Sequence, residues 1–282
     1  MKALRRFSWT KGEKAVACDF DHTGRLAALL RAPSDELRLE IDGTAYPLPA
    51  DWAAQVARVR WMGESEALLW PVDFSPGKTP HVGKIGPNGT TVLDLDYPLE
   101  VFSDLDVIAC TYSEEHIGDD SGLISIFLPP KLLRIARFMD DFMASFKEPR
   151  PSFFEVEHGV LDGFARRLWF SAYITEYLWC FCVDSPRLLV CELGCRRDEI
   201  AAITCRADQA SVIVRKQNGF GIRTYKHLGD RLIFESQTEA PSRDTLWHEV
   251  SEGLKRAPGE LRGHTGNMIA LTTEASALLA EI

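Results

Sequence analysis

The sequence lacks long apolar runs, a recognisable leader and an excess of positive charge, and each absence excludes a class of protein. No stretch reaches the roughly eighteen apolar residues that a transmembrane helix needs. Residues 1–16 carry positive charge but neither an apolar core nor a small-residue cleavage site, so no secretory signal is expected. Lys and Arg number 32 against 41 Asp and Glu, and the net charge of −9 argues against a nucleic-acid binder. We therefore expect an acidic cytoplasmic protein that binds neither membrane nor nucleic acid.

Catalytic and cofactor motifs are missing as well. The sequence contains no G-x-S-x-G, no P-loop, no G-x-G-x-x-G and no H-E-x-x-H. The glycine-rich segment 83–89 lies between strand-like runs, where a hairpin turn explains it better than a phosphate site does. We therefore expect no cofactor.

The cysteines do not follow a zinc-binding pattern. There are seven, an odd number, at Cys18, Cys110, Cys180, Cys182, Cys191, Cys195 and Cys205. The closest approach to a metal site is Cys180-x-Cys182 with Cys191-xxx-Cys195, but no pair has the C-x-x-C spacing. Free cysteine packs as a small hydrophobe, so we predict reduced, buried thiols and no bound metal.

What the sequence does contain is a recurring group of four short, strand-like runs. Composition is typical of a globular protein, with 45% apolar and 26% charged residues among 282. In the first group the runs read AVACDF, LAALLRA, ELRLEID and AYPL, separated by DHTGR, by APSD and by a turn at Gly43. Short runs bounded by Gly, Pro, Asp and Ser are typical of antiparallel hairpins.

The same order of runs appears four more times along the chain. The second runs centre on Ala28, Leu69, Ala109, Phe170 and Ile213, at intervals of 41, 40, 61 and 43 residues. They are almost continuously apolar, as expected for strands sandwiched between neighbouring sheets. Four strands at this interval are typical of a β-propeller blade, whereas the rival, a long β-sandwich, leaves the fourfold grouping unexplained.

These quartets, with D-x-x-G-R-like turns as in DFDHTGRLAALL, resemble β-propeller proteins over about residues 11–237. The WD dipeptide of the WD40 family is absent and its Gly-His signature does not recur, so that family is not assigned. The resemblance implies an all-β, five-bladed propeller over 1–237, followed by a mixed or helical extension over 238–282 that packs on or closes it. The blades are expected near 11–50, 51–97, 98–150, 151–194 and 195–237.

Two segments depart from the strand pattern. Residues 138–147 carry large apolar side chains at helical spacing, and proline ends that pattern. In the tail, Ser242 is placed to cap a helix over 243–256, and residues 267–282 end in the helix-favouring ASALLAEI. As an alternative, the tail and the N-terminal run ALRRFSW form a degenerate sixth blade.

Two features of the third blade are candidate binding sites. The predicted helix presents an apolar stripe, which either contacts a partner or packs against the disc itself. Its members are Phe138, Met139, Phe142, Met143 and Phe146. The loop before it is acidic and suits a basic partner, although a solvated loop would look the same. Its acids are Glu114, Glu115, Asp119 and Asp120.

Carboxylates on the first strands of three blades are candidates for a catalytic channel. They are Asp19, Asp21, Glu100, Glu155 and Glu157, while the second blade offers Arg58 and Arg60 instead. Propellers that cleave glycosides use acids projecting into the channel, but an acid facing arginine is more often an ion pair.

The sequence therefore predicts a bacterial propeller that binds another protein and has no catalysis of its own. In this interpretation it neutralises or scaffolds a basic partner, as an immunity protein does. The alternative function is a carbohydrate-active hydrolase that uses the channel carboxylates.

Overall fold

The computed structural model describes residues 2–48, 52, 56–63, 65–71, 82–93, 100–105, 107–111, 124–128, 131–134, 156–172, 176–185, 187–217, 219–239, 250 and 259–282. Within these ranges the regular structure is β-strand, apart from a 3-10 turn at Arg197–Glu199 and single helical positions at Trp52 and Val250. No helix in this part of the chain has the length and apolarity to cross a membrane.

The strands form antiparallel sheets of four, which we call blades. The first strand, β1 (Lys2–Ser8), belongs to the last blade. Blade 1 contains β2 (Lys14–Phe20), β3 (Leu26–Arg31), β4 (Leu37–Ile41) and β5 (Thr44–Tyr46). Blade 2 contains β6 (Val56–Met62), β7 (Glu66–Pro71), β8 (Val82–Gly86) and β9 (Gly89–Leu93). Blade 3 contains β10 (Glu100–Asp104), β11 (Val107–Thr111), β12 (Ile124–Leu128) and β13 (Lys131–Arg134).

The second half of the chain continues the series. Blade 4 contains β14 (Val156–Asp162), β15 (Arg167–Ala172), β16 (Tyr177–Cys182) and β17 (Arg187–Glu192). Blade 5 contains β18 (Ile200–Arg206), β19 (Gln209–Lys216), β20 (Gly219–Leu228) and β21 (Arg231–Glu239). The remaining strands are β22 (Gly259–His264), β23 (Met268–Thr273) and β24 (Ser276–Glu281). The all-β propeller is confirmed, and each of the five predicted quartets is one sheet.

The two ends of the chain together form a sixth sheet, with strand order β1-β24-β23-β22. This is the arrangement that the six-blade alternative described. The expectation of a helical end at ASALLAEI is wrong, because Ser276–Glu281 is a strand that pairs with β1 on one side and β23 on the other. Burial of Ala277, Leu278, Leu279 and Ala280 outweighs the helix propensity of Ala and Leu. The predicted helix at 138–147 lies outside the described residues, and of the predicted helix at 243–256 only Val250, which is helical, is described.

The hydrophobic core is divided among the blade-to-blade interfaces. Buried side chains form one cluster at each interface between consecutive blades, including the interface of blade 6 with blade 1. The second strands supply much of it: in β3, Leu26 to Leu30 are all buried, because blades cover both faces of the strand. The innermost strands of the blades, which are β2, β6, β10, β14, β18 and β22, line a central channel.

Candidate functional site

The central channel contains a cavity of about 230 Å³, lined mainly by the innermost strands of all six blades. Its wall is mixed. Charged and polar side chains that line it include Asp19, His22, Arg60, Ser103, Asp104, His158, Glu260, Arg262 and His264. These side chains share the wall with Phe20, Phe102, Val160 and Ile203. A cavity of this size admits a small polar molecule at most, which limits the size of any ligand or substrate that the channel can bind.

Asp19, near the end of β2, is buried and has partners on two other blades. Its Oδ2 accepts a hydrogen bond from the Trp61 backbone N–H at 2.7 Å. Its Oδ1 lies 3.7 Å from Arg60 Nη1 and 3.6 Å from His264 Nδ1. Burial lowers the pKa of His264 despite the charge of Asp19. Asp19 thus joins blades 1, 2 and 6 around one carboxylate.

Arg60, which faces Asp19, is also fixed in place by contacts with its own and a neighbouring blade. Its Nε donates to the carbonyl oxygen of Val101 on blade 3 at 2.8 Å. Its guanidinium lies 6.0 Å from the ring centre of Trp70 and 5.8 Å from that of Phe102, within range of cation–π attraction. This is the acid–arginine arrangement that argues against a catalytic role for Asp19.

Asp21 builds a turn and does not line the cavity. Its carboxylate accepts hydrogen bonds from the backbone N–H of Thr23 at 2.9 Å and of Arg25 at 2.7 Å. Arg25 Nε donates to the same carboxylate at 2.7 Å. Although burial opposes the shift, these bonds lower the pKa of Asp21. The DHTGR segment is thus a hairpin turn organised by its first residue.

Two other aspartates, which sequence reasoning missed, end first strands and reach into the next blade. Asp104 Oδ2 accepts the N–H of Gly163 at 2.7 Å, which joins blade 3 to blade 4. Asp162 Oδ1 accepts the N–H of Ala165 at 2.8 Å, and its Oδ2 accepts that of Ala207 on blade 5 at 3.2 Å. We call Asp19, Asp104 and Asp162 the clasp aspartates. The signal in the sequence that could have identified them is the recurrence of Asp just before the first hairpin of a blade.

Burial, with a smaller contribution from the charge of Asp162, raises the pKa of Asp104 to about 6 against the opposing effects of the Gly163 hydrogen bond and of His22. The folded state therefore binds this proton more tightly than the unfolded chain does. The stabilising contribution of the protonated form is present at acidic pH and is lost as the pH rises toward 6.

Asp104→Asn is accordingly expected to stabilise the protein at pH 8 by about 1–3 kcal/mol, because the amide oxygen still accepts the Gly163 N–H without a buried charge. Denaturant unfolding at pH 5 and pH 8 measures this. Asp230→Asn, in an exposed turn, is the control and should change neither value. A larger loss of stability at pH 8 than at pH 5 in the Asp104 variant would contradict this account.

One end of the channel is spanned by a ring contact. His22, in the first turn of blade 1, meets Phe164, in the first turn of blade 4, edge to face at 5.2 Å between ring centres. These blades lie opposite each other in the ring of six. The two turns therefore reach across the channel, although Phe164 remains 68% exposed.

The other predicted site residues either have only their backbone described or lie outside the described residues. Glu100 and Glu157 lie on the first strands β10 and β14, and only their backbone is described. Glu155 lies outside the described residues. So do the apolar stripe (Phe138, Met139, Phe142, Met143 and Phe146) and the acidic loop (Glu114, Glu115, Asp119 and Asp120). Among the residues that are described, no group of three His, Cys, Asp or Glu side chains is arranged to hold a metal ion.

Comparison with solved structures finds similarity to KlAtg21, determined in complex with the coiled coil of AgAtg16. The TM-score is 0.53 at 12% identity, over 92% of this chain and 78% of that one. The chain is a β-propeller protein. An oxidoreductase (glucose dehydrogenase) of Thermus thermophilus gives a TM-score of 0.50 at 10% identity, over 98% of this chain and 100% of that one.

A third similarity is to the extracellular domain of a hybrid two-component system from B. thetaiotaomicron, with a TM-score of 0.47 and 9% identity. The alignment covers 99% of this propeller but only 39% of that chain. The propeller matches no protein-family model, and no curated protein is similar to it in sequence. At these identities the comparisons establish the fold alone.

Proposed function

We propose that this propeller is a non-catalytic binding protein whose ligand is another protein. The observation that carries the proposal is the state of the clasp aspartates. Each carboxylate accepts a hydrogen bond from a backbone N–H of a neighbouring blade, and Asp19 also faces Arg60 and His264. A glycoside hydrolase needs two carboxylates free to reach one sugar. These three carboxylates serve the ring, which favours binding over the hydrolase alternative.

The partner that we propose is basic. A net charge of −9 attracts a cationic protein at long range, and the acidic loop concentrates part of that charge. The loop connects the ends of β11 and β12, and the stripe lies between the ends of β13 and β14. In up-and-down blades these four strand ends lie on one face of the disc, opposite the turn that carries His22. A single partner could therefore contact both.

The role that we propose is neutralisation or scaffolding of that partner, of the kind an immunity protein performs. A propeller in the fold comparison, KlAtg21, was determined in complex with a coiled coil of another protein. That complex illustrates what a disc of this kind can hold, and it says nothing about the identity of the partner of this chain.

Chemical cross-linking in the native cells, followed by peptide mapping, tests the proposal. We expect cross-links that join residues 112–123 or 135–155 to one basic protein. The double substitution Phe142→Asp with Met143→Asp should remove them while the melting temperature stays within a few degrees of the wild type. Glu114→Gln with Glu115→Gln should weaken binding of that protein most at low salt, because screening removes long-range attraction.

Two results would overturn the proposal. If the double substitution lowers the melting temperature sharply, the stripe is internal to the disc and is not a contact surface. If the purified protein turns over a panel of chromogenic glycosides, and Glu100→Gln or Glu157→Gln abolishes that turnover in a folded protein, the hydrolase alternative is correct.

A further inference from the structure

Five of the seven cysteines lie at one interface, between blades 4 and 5. They are Cys180, Cys182, Cys191, Cys195 and Cys205. Cys180 and Cys205 are buried, whereas the other three are half-buried. The expectation that all the thiols are buried is therefore wrong for Cys182, Cys191 and Cys195, because Cys182 ends β16, Cys191 lies on β17, the last strand of its blade, and Cys195 follows that strand. This leaves one interface with several thiols that solvent can reach.

Cys182 differs from the other two in its neighbours. It is the last residue of β16, and its Sγ lies 3.7 Å from Nε2 of His227, on β20 of the next blade. Cys180 precedes it by two residues, so both side chains lie on the same face of the strand, where the Cys180 thiol can donate to the Cys182 sulfur. Arg167 is its direct cross-strand partner on β15. A half-buried sulfur is thus surrounded by one thiol donor and two basic side chains.

These neighbours favour the thiolate. The hydrogen bond from Cys180 lowers the pKa of Cys182 to about 6, helped by the charges of His227 and Arg167, although partial burial opposes the shift. For Cys191 and Cys195, burial raises the pKa instead. The thiolate is the nucleophilic form of cysteine. At neutral pH the nucleophile of this interface is therefore Cys182.

We propose that Cys182 is a site of reversible oxidation, at which the sulfur held between Cys180 and His227 reacts with hydrogen peroxide. The thiolate attacks one peroxide oxygen, an S–O bond forms and the O–O bond breaks. The departing hydroxide takes a proton from solvent and leaves as water. The sulfur loses two electrons to become a sulfenic acid, and the peroxide is reduced.

Cys180 is placed to take the second step. Its thiol attacks the Cys182 sulfur, an S–S bond forms, and the sulfenic oxygen leaves as water with the thiol proton. Residues two apart in a strand have Cα atoms about 6.6 Å apart, close to the upper limit for a disulfide. The end of β16 would therefore have to shift, and the shift would act on the contact between blades 4 and 5.

The test is to treat the folded protein with hydrogen peroxide at pH 7 in the presence of dimedone, which traps sulfenic acids, and to map the modified peptides. Cys191 and Cys195 are the matched controls, since both are half-buried thiols at the same interface. We expect oxidation of Cys182, as dimedone adduct or as disulfide with Cys180, at least about fivefold faster than oxidation of either control. This rate ratio reflects the larger thiolate fraction of Cys182, which is partly offset by the weaker intrinsic nucleophilicity of a thiolate of low pKa.

Two variants test the proposed neighbours. His227→Gln should slow oxidation of Cys182 about threefold or more at an unchanged melting temperature, and Cys180→Ala should prevent the disulfide while leaving the dimedone adduct. The proposal is overturned if wild-type Cys182 reacts no faster than Cys191 and Cys195, a comparison that needs no variant. It is also overturned if a folded His227→Gln protein reacts at the wild-type rate.

Discussion

Alanine at position 263 is expected to prevent this protein from folding into a closed ring. Gly263 lies on β22, where an ideal Cβ would sit 1.7 Å from the carbonyl oxygen of Ile203 on β18. The obstacle is backbone, so no side-chain rotation relieves it. Just beyond this point the two blades are joined by a bridge between Cys205 and Thr265 and by a hydrogen bond from Asn267 N–H to Cys205 O at 3.1 Å. A methyl group at Gly263 would force these contacts apart.

We expect Gly263→Ala to cost more than about 4 kcal/mol, and therefore to give mostly insoluble or unfolded protein. Soluble yield and denaturant unfolding measure the effect. Gly229→Asn is the matched control, because Gly229 has φ +62° with no atom within 4 Å of an added Cβ, and asparagine tolerates that backbone conformation. The control should stay within about 1 kcal/mol of the wild type. A Gly263 variant that melts like the control would show that the close approach of β18 and β22 is dispensable.

The second large effect is expected at Asp19. Asp19→Asn keeps an acceptor for the Trp61 N–H but leaves the guanidinium of Arg60 without its carboxylate. Arg60 is 9% exposed, and removing one partner of a buried ion pair costs about 3–5 kcal/mol. The same type of substitution is thus expected to destabilise at Asp19 and to stabilise at Asp104, two clasp aspartates in one channel. The difference lies in the guanidinium of Arg60, which faces Asp19.

A double-mutant cycle with Arg60→Met separates the ion pair from general disturbance of the channel. The double variant should be more stable than the sum of the single effects predicts, by about 1–3 kcal/mol, because neither charge is left alone. Glu274→Gln, which removes an exposed pair with Lys14, serves as the control and should change stability by less than about 1 kcal/mol. Strict additivity of Asp19→Asn and Arg60→Met would mean that the two charges do not interact.

Five blades could be predicted from the sequence because their signals are local. The DHTGR turn illustrates this: Asp21 organises the hairpin through Thr23 and Arg25, all within five residues. The continuous apolar run of β3 likewise needs only the information that both faces of the strand are covered. Periodic turns and apolar runs were therefore sufficient to predict these five blades.

The sixth blade and the clasp were less visible because they depend on contacts distant in sequence. Strand β24 is made of good helix formers and becomes a strand by pairing with β1, more than 260 residues away. Asp104 and Asp162 look like ordinary turn residues, and only the ring brings them to Gly163 and Ala207. The low pKa of Cys182 likewise arises partly from His227, which a neighbouring blade supplies.

The last blade, which β1 shares with β22, β23 and β24, also determines the order in which strands can pair during synthesis. Strand β1 leaves the ribosome more than 260 residues before its partner β24. Lys2–Ser8 must stay unpaired with β24 while the intervening sheets are synthesised one after another. The ring can close only after synthesis has passed Glu281. A chain truncated before Ser276 should thus expose one unpaired edge on β23 and a free β1, which a chaperone or a second truncated chain could bind.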